Sequence, residues 1–308
     1  MKETEAVLLM AYGGPTRLAD VEAYYTDIRR GSPPPRHLLA ELLRRYEAIG
    51  GASPLSAIVE RQRAALEAEL GRRGVPLAVY AGMRHIAPRI GAVVEGMAAD
   101  GVTHFTAIAL APQKSSNAAG YRRAVDAALA TLGPDAPSYT FVESWHDEPR
   151  FIEALTMATG EAIARVQDRT NARVMFTAHS LPARVVAEGD PYPSELAQTA
   201  ALVARRLDLS GYDFAFQSAG RTDEPWLGPE ILSEIRRLAA QGVKELVISP
   251  VGFVAEHLEV LYDIDIEARG LADSLGLRIV RARSLNDDPV FIGGLADIVT
   301  RVIAPVAV

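Results

Sequence analysis

The chain has 308 residues, no cysteine, and a globular composition with 49% hydrophobic and 23% charged residues. The lack of cysteine excludes disulfides, cysteine-ligated zinc and cysteine-ligated iron–sulfur clusters. The net charge of -7 argues against a nucleic-acid partner, and the length suggests two domains.

The first apolar run of the chain is short and does not have the layout of a signal peptide. It covers residues 6–11 and is flanked by acidic residues. No later run approaches the roughly 18–20 apolar residues that cross a membrane. We therefore expect a cytoplasmic protein without a transmembrane segment.

Short apolar runs alternate with longer amphipathic stretches in the first half of the chain. The apolar runs predict buried strands, and the amphipathic stretches predict helices. The strands are predicted at 6–12, 76–83, 103–112 and 138–145, and the helices at 53–73, 87–100 and 117–132. This alternation indicates a parallel sheet that is covered on both faces.

The same pattern restarts in the second half of the chain. Strands are predicted at 172–180, 212–218, 245–253 and 277–284, and helices at about 150–168, 192–208, 228–241 and 254–269. The sequence thus predicts an α/β protein with two similar doubly wound domains, 1–150 and 151–287. Each has a parallel four-stranded sheet flanked by helices, and a cleft lies between them. A last helix, at about 288–304 within the segment 288–308, could pack on either domain and is grouped with the first.

One basic segment, 27–55, follows the first predicted strand. It carries five arginines, which are Arg29, Arg30, Arg36, Arg44 and Arg45. Open α/β sheets bind ligands beyond the carboxyl ends of their strands, so a long basic insertion there favours a binding function. A solvated basic helix is the alternative, and the two interpretations have equal weight at this point.

An acidic stretch, AEHLEVLYDIDIEARG (255–270), has its acids at Glu256, Glu259, Asp263 and Glu267. On an α-helix this spacing places all four carboxylates on one face, where they repel each other. Two interpretations stay open. The face is either solvated, or it is a track of oxygen ligands for a cation.

His179 follows an apolar strand directly, at the end where ligands bind. A lone histidine is more often structural, but imidazole together with carboxylate oxygens suits a divalent cation such as ferrous iron. Imidazole also accepts protons near neutral pH. The sequence lacks the motifs of nucleotide-binding dehydrogenases, kinases, serine hydrolases and H-E-x-x-H metalloproteases.

Seven stretches in order along nearly the whole chain resemble the ferrochelatase family, and most of all its coproporphyrin branch. They are LLMAYGGP, YYTDIRRG, RYEAIGGASPL, GMRHIAP, FTAHSLP, FQSAGRTDEPWLGPE and SPVGFVAEHLEVLYDIDIEA. The resemblance implies two chelatase-like α/β domains with a porphyrin cleft between them. It also implies a lyase of the metal-chelatase class, which inserts ferrous iron into the macrocycle.

The resemblance also implies roles for single residues. His179 and Glu259 are expected to be catalytic and to bind the metal, and Asp263 and Glu267 to pass metal or protons. Tyr12 is expected to approach the metal from the opposite face of the porphyrin, and it marks the coproporphyrin branch. In the family the acidic helix is widened to i,i+5 bonds, and such bulges often lie at functional sites.

A further set of residues is expected to hold the propionates of the substrate, together with Tyr12. The set is Arg29, Arg45, Tyr46, Ser53 and Tyr121. Arginine suits bidentate binding of carboxylates. Arg30 and His85 are expected to support the site, and Trp226 to pack in the core. Gln113 stands where the family often has a histidine, so we predict no role for Gln113.

The implied reaction is insertion of ferrous iron into coproporphyrin III in haem biosynthesis, with iron as a substrate. We expect no organic cofactor and no iron–sulfur cluster. We do expect a partner enzyme of the haem pathway. Three alternatives remain from the sequence. They are a protoporphyrin IX ferrochelatase, a non-catalytic porphyrin or haem carrier, and a chelatase for another tetrapyrrole or for cobalt.

Overall fold

All eight predicted strands form in the computed structural model, which describes residues 4–116, 118–220 and 222–303. The strands are β1 (Glu5–Ala11), β2 (Ala78–Met83), β3 (His104–Ala109), β4 (Ser138–Val142), β5 (Ala172–His179), β6 (Asp213–Gln217), β7 (Glu245–Ser249) and β8 (Arg278–Arg281). They build two parallel four-stranded sheets in the orders β2-β1-β3-β4 and β6-β5-β7-β8. The predicted fold class is confirmed.

Helices connect the strands and cover the sheets. In chain order they are α1 (Val21–Ile28), α2 (Arg36–Ala48), α3 (Leu55–Arg72), α4 (Ile90–Ala99), α5 (Ala119–Leu132), α6 (Pro149–Ala164), α7 (Arg184–Ala187), α8 (Tyr192–Arg206), α9 (Ile231–Ala240), a π-helix (Glu259–Ala268), α10 (Arg269–Ser274) and α11 (Pro289–Ile303). The predicted basic segment contributes α2. Within the described ranges, no helix combines the length and apolar character that a membrane span requires.

The strand order explains where ligands can bind. In each sheet the first strand in sequence, β1 or β5, lies between its two successors, so the order reverses beside it. A crevice opens at the carboxyl end of such a strand. Tyr12 directly follows β1, and His179 ends β5. The two residues thus stand at equivalent positions of the two sheets.

The two halves share one hydrophobic core. A single cluster of buried side chains includes Val7 and Leu9 of β1, Phe176 of β5 and Phe291 of α11. Helix α11 packs against both α3 and α6, and therefore against both halves. Residues 304–308 of the predicted last segment lie outside the described ranges. The domain boundary near residue 150 stays a prediction.

Phe291 is expected to be a major contributor to this shared core. It is fully buried and lies 5.9 Å from Trp145 and 6.3 Å from Phe151, centroid to centroid. Phe291→Ala should lower the free energy of unfolding by about 3–5 kcal/mol, measured by urea denaturation. The control Leu275→Ala removes a side chain that is 41% exposed, and it should change stability by less than about 0.5 kcal/mol. Equal stability of the two variants would contradict the shared core.

The acidic stretch is not the single α-helix predicted over 254–269. Its helix begins only at Glu259 and has i,i+5 bonds, as the resemblance implies. Glu256 lies before the helix, where its backbone N–H donates to Asn286 Oδ1 at 2.9 Å. Its carboxylate pairs with Arg281 at 3.1 Å. The prediction that Glu256 shares a helix face with the later acids is therefore wrong, because Glu256 precedes the helix and pairs with Arg281.

Candidate active site

A cleft of about 740 Å³ lies between the two halves, beyond the carboxyl ends of both central strands. Seven of the predicted site residues line it, and they are Tyr12, Arg30, Tyr46, Ser53, Tyr121, His179 and Glu259. The other five lie outside this lining, and they are Arg29, Arg45, His85, Asp263 and Glu267. The predicted residues therefore divide into seven that line the cleft and five that do not.

His179 presents one ring nitrogen as an acceptor. Its Nδ1 contacts the carbonyl oxygen of Ser180, which can only accept, so Nδ1 carries the proton and Nε2 keeps a lone pair. The Tyr192 hydroxyl donates to the His179 carbonyl at 2.9 Å and fixes the end of β5. Burial lowers the pKa of His179, although the charge of Glu259 opposes the shift. The neutral imidazole can accept a proton or bind a metal.

Glu259 brings the negative charge to the cleft. It is the first residue of the π-helix, and its carbonyl accepts from the buried Gln217 side chain at 2.7 Å. Its carboxylate lies 3.4 Å from His257 Nε2. The same charge contributes to raising the pKa of both Tyr46 and Asp263, whose main cause is burial. An incoming cation would relieve this accumulation of negative charge.

Asp263 and Glu267 continue the acidic face away from the cleft. Asp263 is buried, and burial raises its pKa to about 7, with the Ser218 hydroxyl and Arg45 opposing the shift. The Ser218 hydroxyl donates to Asp263 Oδ2. The Ser218 backbone is in the left-handed region, with φ of 62°. Glu267 is exposed. The three acids thus run from the surface to the cleft, and the middle one titrates near neutral pH.

Tyr12 lines the cleft on the side of the first sheet, whereas His179 lies at the end of the second. The ring of His85 packs against Tyr12. Its ring lies 4.4 Å from that of His85, and burial raises the pKa of Tyr12 to about 12, so the phenol keeps its proton at neutral pH. His85 Nδ1 lies 2.6 Å from Asp27, which Arg89 also binds, at 3.0 Å. Among the described residues, His85 Nε2 is buried without a hydrogen-bond partner. His85 therefore packs against the Tyr12 ring, and its supporting role stays a prediction.

The predicted propionate residues divide into two groups. Tyr46 and Ser53 are buried in the cleft wall, as is Tyr121, which lies 5.9 Å from the Arg84 guanidinium. Arg29 is exposed and lies over the Tyr25 ring at 5.9 Å. Arg45 is not among the residues that line the cleft, and it pairs with Asp263 at 3.2 Å. Whether these residues bind propionates stays a prediction.

Several residues that line the cleft are not among those predicted from the sequence. Arg84, Arg123 and Arg184 join Arg30 on the cleft wall. Trp226 also lines the cleft, and the prediction that it packs in the core is wrong. Arg84 could have been found, because it precedes His85 in the family motif GMRHIAP. The other two arginines lack such a signal, since an exposed arginine looks like any solvated charge.

Comparisons with known proteins point to one family over nearly the whole chain. A family model described as Ferrochelatase matches residues 4–303. A ferrochelatase of Thermus thermophilus is 45% identical, with 95% of this chain and 98% of that protein covered. A coproporphyrin III ferrochelatase of Geobacillus thermodenitrificans is 41% identical, with 98% and 97% covered.

Two solved structures are similar in fold. SirB from Bacillus subtilis with Fe3+ superposes with a TM-score of 0.61 at 14% identity, covering 98% of this chain and 96% of that one. CbiX, described as the terminal enzyme of sirohaem biosynthesis in denitrifying bacteria, gives 0.53 at 13% identity, with 97% and 100% covered. Both similarities show the chelatase-like α/β architecture alone.

Proposed function

Since the chain belongs to the ferrochelatase family, we propose that it inserts ferrous iron into coproporphyrin III. Iron is a substrate of this reaction, and we propose that no organic cofactor and no iron–sulfur cluster takes part. Iron insertion into a porphyrin is the reaction of the whole family, and the proposal adds the choice of porphyrin. The choice of coproporphyrin rests on one observation, the charge of the cleft wall.

The cleft is basic in an acidic protein. Four arginines line it, and they are Arg30, Arg84, Arg123 and Arg184. Among the described residues that line the cleft, Glu259 is the one carboxylate, whereas the whole chain has a net charge of -7. Coproporphyrin carries four propionates and protoporphyrin two. A tetra-anionic macrocycle therefore matches the positive charge of this wall better, although Arg184 already pairs with Glu188 at 3.1 Å and Glu224 at 3.3 Å.

The relatives support the same choice in part. Five relatives that are 40% or 41% identical are named coproporphyrin III ferrochelatases. Relatives at 41–45% identity with the plain name ferrochelatase do not distinguish the two porphyrins.

The site residues suit the proton balance of the reaction. Two pyrrole protons must leave the macrocycle as the cation enters it. His179 offers the Nε2 lone pair as the first acceptor, and Glu259 lies close enough to influence the pKa of His179. Asp263, with a pKa of about 7, can take up and release a proton at neutral pH. Protons can thus leave along the same face by which a cation would arrive.

A comparison of the two porphyrins tests the proposal. We expect kcat/KM to be higher for coproporphyrin III than for protoporphyrin IX. Arg123→Gln should lower kcat/KM for coproporphyrin by up to about fivefold, since an exposed ion pair contributes up to about 1 kcal/mol. The matched control is Arg122→Gln, because Arg122 pairs with Glu143 at 2.6 Å and does not line the cleft. A preference for protoporphyrin would contradict the coproporphyrin assignment.

A further inference from the structure

His179 and Glu259 come from different structural elements, so their relative position depends on how these elements are joined. His179 ends β5, whereas Glu259 begins the π-helix that follows β7. The neighbour of β5 in the sheet is β6, and its last residue, Gln217, is paired in register with His179. The Ser180 N–H donates to the Gln217 carbonyl at 2.7 Å. The main chain of Gln217 is therefore attached to the strand end that presents His179.

The side chain of Gln217 extends to the other element. Its Nε2 donates to the carbonyl oxygen of Glu259 at 2.7 Å, and this acceptor fixes the orientation of the amide. Gln217 is 1% exposed, and among the described residues its Oε1 is buried without a hydrogen-bond partner. A buried acceptor without a partner lowers stability, and an apolar side chain would avoid that cost. Stability alone therefore does not explain a glutamine at this position.

The next residue holds the same helix about one turn further on. The Ser218 hydroxyl donates to Asp263 Oδ2. The Ser218 backbone has a φ of 62°, a left-handed conformation that is unfavourable for a residue with a Cβ and is often found at functional sites. Gln217 thus holds the backbone of the first acid of the helix, and Ser218 holds the side chain of the second. The end of β6 fixes the π-helix at two points.

We propose that Gln217 is a positioning residue that sets the location of Glu259 relative to His179, an inference that rests on the proposed function. Gln217 connects the two elements, because its main chain bonds to the end of β5 and its side chain to the start of the π-helix. It is not among the described residues that line the cleft, so it acts through Glu259. A displacement of about 1 Å at a reacting group can lower a rate about 10²-fold.

A double-mutant cycle with Glu259 tests the proposal. Gln217→Leu removes the amide donor and keeps a buried apolar side chain in its place. We expect kcat for iron insertion to fall about 10- to 100-fold, with the KM for porphyrin changed by less than about twofold. In the Glu259→Gln background, Gln217→Leu should lower kcat by less than about twofold, because the carboxylate through which Gln217 acts is already absent. A similar loss of kcat in both backgrounds would overturn the proposal, since Gln217 would then act independently of Glu259.

Two further variants complete the experiment. Gln217→Met has an unbranched apolar side chain and replaces Gln217→Leu in the cycle if that variant does not fold, which urea denaturation shows. Gln241→Leu changes an exposed glutamine after α9 and should keep the kcat of the unmodified protein. A kcat of the Gln217 variant equal to that of this control would also overturn the proposal. The cycle uses whichever of coproporphyrin III and protoporphyrin IX reacts faster, so a preference for protoporphyrin rejects the proposed substrate without affecting the test of Gln217.

Discussion

Replacing His179 by alanine is expected to lower kcat for iron insertion by about 10²–10⁴-fold, the range that a positioned proton acceptor contributes. The change removes the Nε2 lone pair, which the Nδ1 hydrogen bond to Ser180 directs away from the backbone. The rate is measured anaerobically as the loss of the free-porphyrin absorbance.

The His179 variant should stay folded and bind porphyrin. The one hydrogen bond of its side chain is to the adjacent Ser180, so its loss disturbs no distant element of the described structure. Porphyrin affinity, measured by fluorescence quenching, should stay close to that of the unmodified protein. His37→Ala, which changes an exposed histidine on α2, is the control and should keep full activity. Turnover of His179→Ala equal to that of this control would remove His179 from the mechanism.

Glu259→Gln is expected to have the second-largest effect, with kcat lowered by about 10²-fold or more. The variant loses the carboxylate that faces both His179 and the incoming cation. Because the charge of Glu259 helps to raise the pKa of Asp263, its removal should also lower that pKa from about 7. If Asp263 accepts protons as the carboxylate, activity rises as pH increases through its pKa. The residual activity of Glu259→Gln should then rise at lower pH than in the unmodified protein.

Glu256→Gln is the matched control for Glu259. Glu256 is three residues earlier and pairs with Arg281 outside the cleft. We expect its kcat to be unchanged and its pH profile to stay in place. A loss of activity in Glu256→Gln as large as in Glu259→Gln would show that Glu256 acts with the other acids after all.

The strands could be predicted because a buried strand needs a continuous apolar run, which local sequence records. The positions of Tyr12 and His179 followed from the same reasoning, since polar residues at strand ends face the crevice. The strand order could not be predicted from the runs. It depends on which strands pair over long separations, and β1 pairs with both β2 and β3.

Two errors at the site have physical causes. The spacing of the acids predicts one face only if an α-helix runs from residue 254, but the helix begins at Glu259 with i,i+5 bonds. Glu256 therefore lies outside the predicted face, and its partner Arg281 is too distant in sequence for a spacing rule to find. The prediction that Trp226 packs in the core fails for a different reason, because a tryptophan has the same letter whether it packs inside or lines a cleft. In the structure it lines the cleft and donates to Thr222 at 2.9 Å.

The most direct test is a multiple-turnover reaction. The purified protein is incubated anaerobically with a large excess of ferrous iron and coproporphyrin III, and the iron–coproporphyrin spectrum is followed over time. We predict steady product formation to many equivalents per protein molecule. A change that stops at one equivalent would contradict catalysis and assign the cleft to a porphyrin carrier.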